Sequence, residues 1–516
     1  MRIASSIFVA AAFAFSLSAQ ADGEISAHLQ VDAGHPGAVI DRHIFGQFAE
    51  HLGRGIYEGV WVGEGSPIPN THGFRLDVLT ALKQLRIPVI RWPGGCFADQ
   101  YHWRDGVGPR KARPTRVNKV WGGVEESNGF GSNEFLALSE MLGADPYLSA
   151  NVGSGSPEEM TDWLEYLTSP SNSTLANARR HDGHAAPWSI PYVGIGNESW
   201  GCGGNMRPEY YADLYRRYAS YVPASAQKIA SGANADDYRW TEIVMSQIAA
   251  SAVRPSGLSL HYYTTPRNDW AKKGGATGFG EDEWASSLAS ASHMEDLIAK
   301  HSAIMDRYDP EKKISLAVDE WGVWTDPEPG SNPAFLYQQN SLRDALTAAL
   351  TLNIFERHAD RVRMANIAQM VNVLQAMILT DGAKMVLTPT YDLFKMYVPF
   401  QDAVSLPATV AVPAYRHGDV SLPAFDAVAA RGKDGKLLLA LVNLDPDHPV
   451  HIDLAIEAAR TAGANGWILT ADAIDAHNDF DRPDAIRARP FAAHWKDTAP
   501  ALDLPAKSVA VVTLTE

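Results

Sequence analysis

Between residues 44 and 370, short apolar runs alternate with stretches whose apolar residues recur every three or four positions, and this alternation constrains the fold more than any other feature. Alternating strand and helix signals imply a parallel sheet, because a crossover helix is what joins parallel neighbours. Eight runs read as strands: Ile44 to Phe48, Ile87 to Trp92, Tyr147 to Val152, Tyr192 to Gly196, Lys228 to Ala233, Leu258 to Tyr262, Ile314 to Asp319 and Ala365 to Gln369. Between them, sets such as Leu76, Leu79, Leu82 and Leu85, or Leu342, Leu346, Ala349 and Leu350, have helical spacing. Eight units predict an α/β fold, a closed (β/α)8 TIM barrel over residues 44–395. An open doubly wound sheet uses the same alternation and remains the alternative, since periodicity does not fix closure.

After residue 396 the texture changes to alternating, Pro-interrupted strands such as Ala424 to Ala429 and Leu437 to Leu441, with a hairpin signal at Lys433-Asp434-Gly435-Lys436. Residues 396–516 are therefore expected to form an all-β, jelly-roll-like sandwich. Ile25, Ala27, Leu29 and Val31 also alternate, so residues 22–43 are expected to add a strand to it. Met1-Arg2, the apolar stretch Ile3 to Leu17 and Ala19-Gln20-Ala21 follow a secretory signal-peptide pattern with cleavage after Ala21, and predict a secreted or periplasmic protein. That stretch is shorter than the ~20 residues of a membrane span, and no later one qualifies, so no membrane partner is expected. Without residues 1–21 the net charge moves from −16 to −17, a balance that argues against nucleic acid and suits an uncharged polymer.

Polar and aromatic residues gather at the C-terminal ends of the expected strands: Gln47 and Glu50, Arg91, Asn151, Asn197 and Glu198, Asn234, His261 and Tyr263, Glu320, and Gln369. Barrel enzymes place their chemistry on that rim. Glu198 and Glu320 each end an apolar run and stand 122 positions apart, about three units of ~40 residues, which puts them on strands four and seven. Two carboxyls at strand ends are what glycosidic cleavage needs: one donates a proton to the departing oxygen, while the other attacks the sugar or activates water. One Glu alone could simply flank a helix, where acidic residues are common. The pair is harder to explain that way. Cys96 and Cys202, the only cysteines, are too few for a disulfide scaffold. Both fall in loops sent to the same end of the barrel and can pair, but sequence gives no Cα separation, and two buried free thiols are the default.

Seven blocks carry a resemblance: Gly46-Gln47-Phe48-Ala49-Glu50-His51, Ile90-Arg91-Trp92-Pro93-Gly94-Gly95, Trp103-Arg104-Asp105-Gly106, Gly194-Ile195-Gly196-Asn197-Glu198, Leu260-His261-Tyr262-Tyr263, Asp319-Glu320-Trp321 and Ala368-Gln369-Met370-Val371-Asn372-Val373. With them the chain resembles glycoside hydrolase family 51, the α-L-arabinofuranosidases, over nearly all of its mature length. The resemblance implies a retaining mechanism with Glu198 as acid/base and Glu320 as nucleophile. It also implies that Glu50, Asn197, Tyr263 and Gln369 bind sugar hydroxyls, that Arg91 partners the nucleophile, and that Trp121 and Trp324 wall the pocket. Read without it, Asn197 is a turn residue, Gln369 a satisfied core amide and Arg91 a structural ion pair. His261 reads as a buried histidine orienting Glu198 or Glu320 rather than as a metal ligand. Cys96 departs from the Asn of many relatives, and a thiol is a poorer donor to a sugar hydroxyl.

Other signals carry less. His181-Asp182-Gly183-His184 lacks the spacing of a helical zinc site, and Gly275 to Gly280 follows no strand, so neither a metal nor a phosphate cofactor is expected. The resemblance implies an exo-acting α-L-arabinofuranosidase that needs no cofactor, acts on arabinoxylan, arabinan or their oligosaccharides, and forms a homo-oligomer. A β-1,4-glycanase or β-xylosidase on the same two-glutamate barrel is the alternative, and a non-catalytic carbohydrate-binding relative the third.

Overall fold

The computed structural model describes residues 23–495 and 500–515, so the expected signal peptide at residues 1–21 lies outside the described residues. Eight parallel strands form the centre: β1 (Gly46–Phe48), β2 (Val89–Trp92), β3 (Asp145–Ala150), β4 (Tyr192–Ile195), β5 (Gln227–Asn234), β6 (Gly257–Thr264), β7 (Ser315–Val323) and β8 (Val362–Ile367). They close into a barrel, because Asn366 and Ile367 of β8 pair with Gly46 and Gln47 of β1, which pairs in turn with β2. Closure excludes the open doubly wound sheet. Each expected apolar run overlaps one of these strands. The first starts later than its run, since Arg42–Phe45 forms a 3-10 turn held by Asp41, whose side chain accepts from the His43 N–H at 3.0 Å.

The register slips in three of the pairings that flank β6 and β7, and the slips matter for the site. Ser259 pairs with Ala317, but the next paired residues are His261 and Glu320, so a bulge in β7 sets these two side by side.

A ten-strand sandwich stands against the barrel. One sheet runs Val404–Leu406, Phe425–Arg431, Leu437–Asn443, Ser508–Thr515, Gly463–Thr470, Arg489–His494; the other runs Ala408–Ala411, Ile25–Asp32, Val450–Glu457, Ala501–Leu504. Strand alternation is legible in its burial. Ala510, Val512 and Leu514 face the core between the sheets, with Leu29, Leu439, Leu441 and Ile452, whereas Val509 and Val511 join the core on the barrel side. The Asp434-Gly435 turn joins Phe425–Arg431 to Leu437–Asn443, with Gly435 at φ 83°, a conformation that costs glycine little.

The helix Leu342–Arg357 links the two bodies. It opens on a capping box, in which the Ser341 N–H donates to Asp344 Oδ2 at 2.8 Å. Every residue from Leu342 to Glu356 is buried, because the helix lies between β7 and the sandwich strands Phe425–Arg431, Leu437–Asn443 and Ser508–Thr515. Among the described residues no helix is long and apolar enough to cross a membrane.

Candidate active site

The C-terminal ends of β1, β2, β4, β6, β7 and β8, with the loops that follow them, bring together the residues expected at a site. Glu320 lies in β7, and both its oxygens are held. Arg91 of β2 donates from Nη1 to Oε1 at 2.8 Å, and the Tyr263 hydroxyl of β6 donates to Oε2 at 2.9 Å. Arg91 also donates to the Asp319 carbonyl and to the Asn197 side chain, and its Nε lies 3.6 Å from Asp319 Oδ2. Its guanidinium stacks 4.7 Å from the Phe48 ring centroid. Burial would depress the Arg91 pKa, but Asp319 and Glu320 outweigh it and raise it.

Glu198 enters from the turn after β4. Gly196 has φ 87° and Glu198 itself φ 39°, a left-handed conformation that costs a non-glycine residue energy and recurs at functional sites. His261 joins the two halves: Nδ1 lies 2.9 Å from Glu198 Oε1 and 3.5 Å from Glu320 Oε2, while Nε2 lies 3.0 Å from Asp319 Oδ1. One ligand-type atom from each of Glu198, His261 and Glu320 lies within 4.8 Å of the others. The two carboxyls therefore face one small space.

Electrostatics separate the groups. Burial pushes the Glu198 carboxyl up, with Glu320 adding to it and the His261 hydrogen bond opposing it. Burial alone would lower His261, but Glu320, Asp319 and Glu198 lift it to about 10. Asp319 goes the other way: despite burial, Arg91 and His261 hold it below the usual range. Tyr147 of β3 donates to Asp319 Oδ2 at 2.7 Å.

Glu50, just past β1, forms the floor. Its Oε1 accepts from the Gly95 and Phe97 N–H groups and from Trp121 Nε1 at 3.0 to 3.1 Å, and its Oε2 from Gln369 Nε2 at 3.1 Å. Burial, with the Glu320 charge, raises its pKa to about 7. Gly94 and Gly95 permit this closeness: an added Cβ would stand 2.7 Å from Glu50 Cγ or 2.7 Å from Glu320 Oε1. Gln369 Oε1 is buried and has no hydrogen-bond partner among the described residues, an acceptor left for a further donor. Trp324 meets Tyr263 edge-on at 5.0 Å and Trp270 at 5.5 Å, forming an aromatic wall.

Cys96 requires a correction. Cys96 and Cys202 are disulfide-bonded, not free buried thiols, because the two loops bring their Cα atoms within 5.5 Å. Cys96 is half-buried and Cys202 exposed. Cys96 therefore presents a sulfur without a donor hydrogen, 3.8 Å from Glu198 Oε2, and the Cys202 sulfur lies 3.4 Å from the same oxygen.

Sequence reasoning did not single out Asp319, Tyr147 or Asp99. Strict alternation points neighbours to opposite faces, so one residue of the Asp319-Glu320 pair should leave the site; the register slip between Val318 and Trp321 keeps both in it. Asp99 accepts from the Val152 and Gly153 N–H groups at 2.9 and 2.8 Å, and burial raises its pKa to about 7. It lies in the 3-10 turn Cys96–Gln100, which has no periodicity to flag it.

Residues 81–279 match the family model described as the α-L-arabinofuranosidase 1 domain, and residues 319–508 the α-L-arabinofuranosidase C-terminal domain. A Bacteroides ovatus protein named an intracellular exo-alpha-L-arabinofuranosidase is 48% identical over 519 residues, covering 99% of each chain. The crystal structure of the GH51 arabinofuranosidase from Xanthomonas axonopodis pv. citri superposes with TM-score 0.93 at 54% identity, over 95% of this chain and 100% of that one. The alpha-L-arabinofuranosidase from Thermotoga maritima, in its arabinose complex, gives 0.84 at 30% identity, over 95% and 99%. The expectation of a secreted or periplasmic protein is corrected by the first of these, which is named intracellular along a full-length match. An apolar run followed by small residues is a compositional pattern, which by itself does not fix the compartment in which a protein works.

Proposed function

Because the chain belongs to glycoside hydrolase family 51, the α-L-arabinofuranosidases, we propose that it releases terminal arabinofuranose by double displacement, with Glu320 as nucleophile and Glu198 as acid/base. The observation that carries this is the shared space: an oxygen of each glutamate lies within 4.8 Å of the other and of His261. Retaining glycosidases hold their carboxyls about 5–5.5 Å apart, whereas inverting ones leave roughly 6.5–9.5 Å for a water.

In the first step Glu320 attacks the anomeric carbon as the glycosidic bond breaks, and the proton of Glu198 passes to the leaving oxygen. Arg91 and Tyr263 hold the attacking carboxylate in place, so little reorganisation remains. Glu320 is then an ester and no longer charged. The like charge that helped keep Glu198 protonated is gone, so its pKa falls and it takes a proton from water. That water attacks the same carbon from the opposite side to Glu320, and the configuration is retained.

Glu50, Asn197 and Gln369 are the hydroxyl ligands in this reading, supported by the unpaired Gln369 Oε1, with Trp121 and Trp324 closing the pocket. His261 and Asp319 position Glu198. The substrates are arabinose-containing oligosaccharides or polysaccharides, and the protein is read as intracellular and oligomeric. Residues 44–395 are read as the catalytic unit, with the described residues of 22–43 and 396–516 as the sandwich. Proton NMR of the first sugar released from an aryl α-L-arabinofuranoside tests the mechanism: the α-anomer is expected, and a β-anomer appearing first contradicts it.

A further inference from the structure

The Cys96–Cys202 disulfide touches the oxygen of Glu198 that the histidine leaves free. His261 holds Oε1, and both sulfurs face Oε2, at 3.8 and 3.4 Å. A structural staple has no need to stand there. Once the S–S bond is opened, Cys96, Cys202 and Glu198 offer two thiols and a carboxylate whose ligand atoms lie within 4.8 Å of one another. Tetrahedral zinc, with Zn–S of about 2.3 Å and Zn–O of about 2.0 Å, separates a sulfur and an oxygen ligand by roughly 3.5 Å. Both sulfur–oxygen distances are already close to that value.

We propose that the reduced pair, with Glu198, is a binding site for a soft divalent cation of the zinc class, and that its occupation switches the enzyme off. The inhibitory half rests on Glu198 being the acid/base. The chemistry balances in two stages. A thiol reductant supplies two electrons and two protons: the S–S bond breaks, two protein thiols form, and the reductant leaves as its own disulfide. The cation then displaces both thiol protons and the carboxyl proton of Glu198, all three leaving to solvent, as two metal–sulfur bonds and one metal–oxygen bond through Oε2 form. Coordinated in that way, Oε2 carries no proton for the leaving group. The pair opens most readily in a reducing compartment, where thiols rather than disulfides persist. Cys202 is exposed and Cys96 half-buried, so a cation can reach the pair from solvent, and once bound to Glu198 it competes with substrate for that carboxyl.

The test uses the full chain, oxidised or reduced with a trialkylphosphine, which takes its oxygen from water and leaves no competing thiol. Cobalt(II) reports coordination through thiolate-to-metal charge-transfer absorption, and zinc reports inhibition. The reduced protein is expected to develop the cobalt band and to lose activity about tenfold or more in micromolar zinc, reversibly on adding a chelator. The oxidised protein should do neither. Cys202→Ser should keep the activity of the reduced enzyme while losing the band and the zinc sensitivity. Absence of the band in reduced protein overturns the site and leaves the catalytic reading untouched. A band without inhibition overturns the coordination of Glu198 and with it the inhibitory half, because the charge-transfer band reports the two thiolates alone.

Discussion

The barrel rim and the interior of the sandwich are both buried, yet they are built on opposite principles. Between the two sheets, Leu29, Leu439, Leu441, Ile452 and Val512 pack into one apolar core, and strand alternation says which way each points. At the rim, Arg91, Glu50, Glu198, His261, Asp319 and Glu320 crowd together, one residue holds a left-handed backbone, and β7 slips register to fit. Burying charge costs several kcal/mol per ion unless partners compensate. The sandwich is arranged for stability. The rim sets ionised groups against one another, and that arrangement serves chemistry.

Substitutions can sharpen this contrast by separating activity from stability. The largest effect on activity is expected at Glu320→Ala: kcat/KM should fall by about 10⁴-fold or more, roughly 5 kcal/mol or more of barrier, with the fold retained because Arg91 and His261 keep Asp319 as a partner. Leu441→Ala in the sandwich should do the reverse. It should cost about 2–5 kcal/mol of stability by denaturant unfolding, while kcat of the folded fraction stays within about twofold. An equal loss of activity there would break the contrast.

Glu198→Ala is expected to lower kcat on poor leaving groups by about 10²–10⁴-fold and to spare an aryl substrate with an acidic leaving group, which needs little protonation. Uniform loss across leaving groups would contradict its role. Tyr263→Phe removes one donor to Glu320, and a hydrogen bond to a charged group is worth about 1.5–3 kcal/mol, so kcat/KM should drop roughly 10- to 150-fold with little change in Tm. A pH trend is read in stability rather than in rate. His261 is raised from 6.5 unfolded to about 10 folded, so the stability it contributes is full below the unfolded value and is lost as pH rises through about 10. Tm measured across that window should fall, and His261→Asn should flatten the fall.

How much of this was legible differs between the two regions for the same reason. In the sandwich, alternation at Ile25, Ala27, Leu29 and Val31 translates directly into burial, and the Asp434-Gly435 turn announces its hairpin. The barrel's eight units could be read from apolar periodicity, but closure could not, because β8 meeting β1 is a long-range pairing that an open sheet would lack without any change of period. Glu198 and Glu320 stood out because each ends an apolar run. Asp319 was hidden by the same alternation rule that works in the sandwich, since the bulge that turns it inward leaves no mark on composition. The disulfide depended on a Cα separation set by two loops 106 residues apart, which no local pattern encodes.

The central claim is that Glu320 forms the bond to the sugar while Glu198 faces it across the same anomeric carbon. Mass spectrometry of a proteolytic digest, after incubation with a 2-deoxy-2-fluoro-α-L-arabinofuranoside carrying an activated leaving group, tests it most directly. The account predicts one fluoro-sugar per chain on the peptide containing Glu320, with labelling lost in Glu320→Ala. A label on any other carboxyl, or turnover of this substrate by the Glu320→Ala protein, would contradict it.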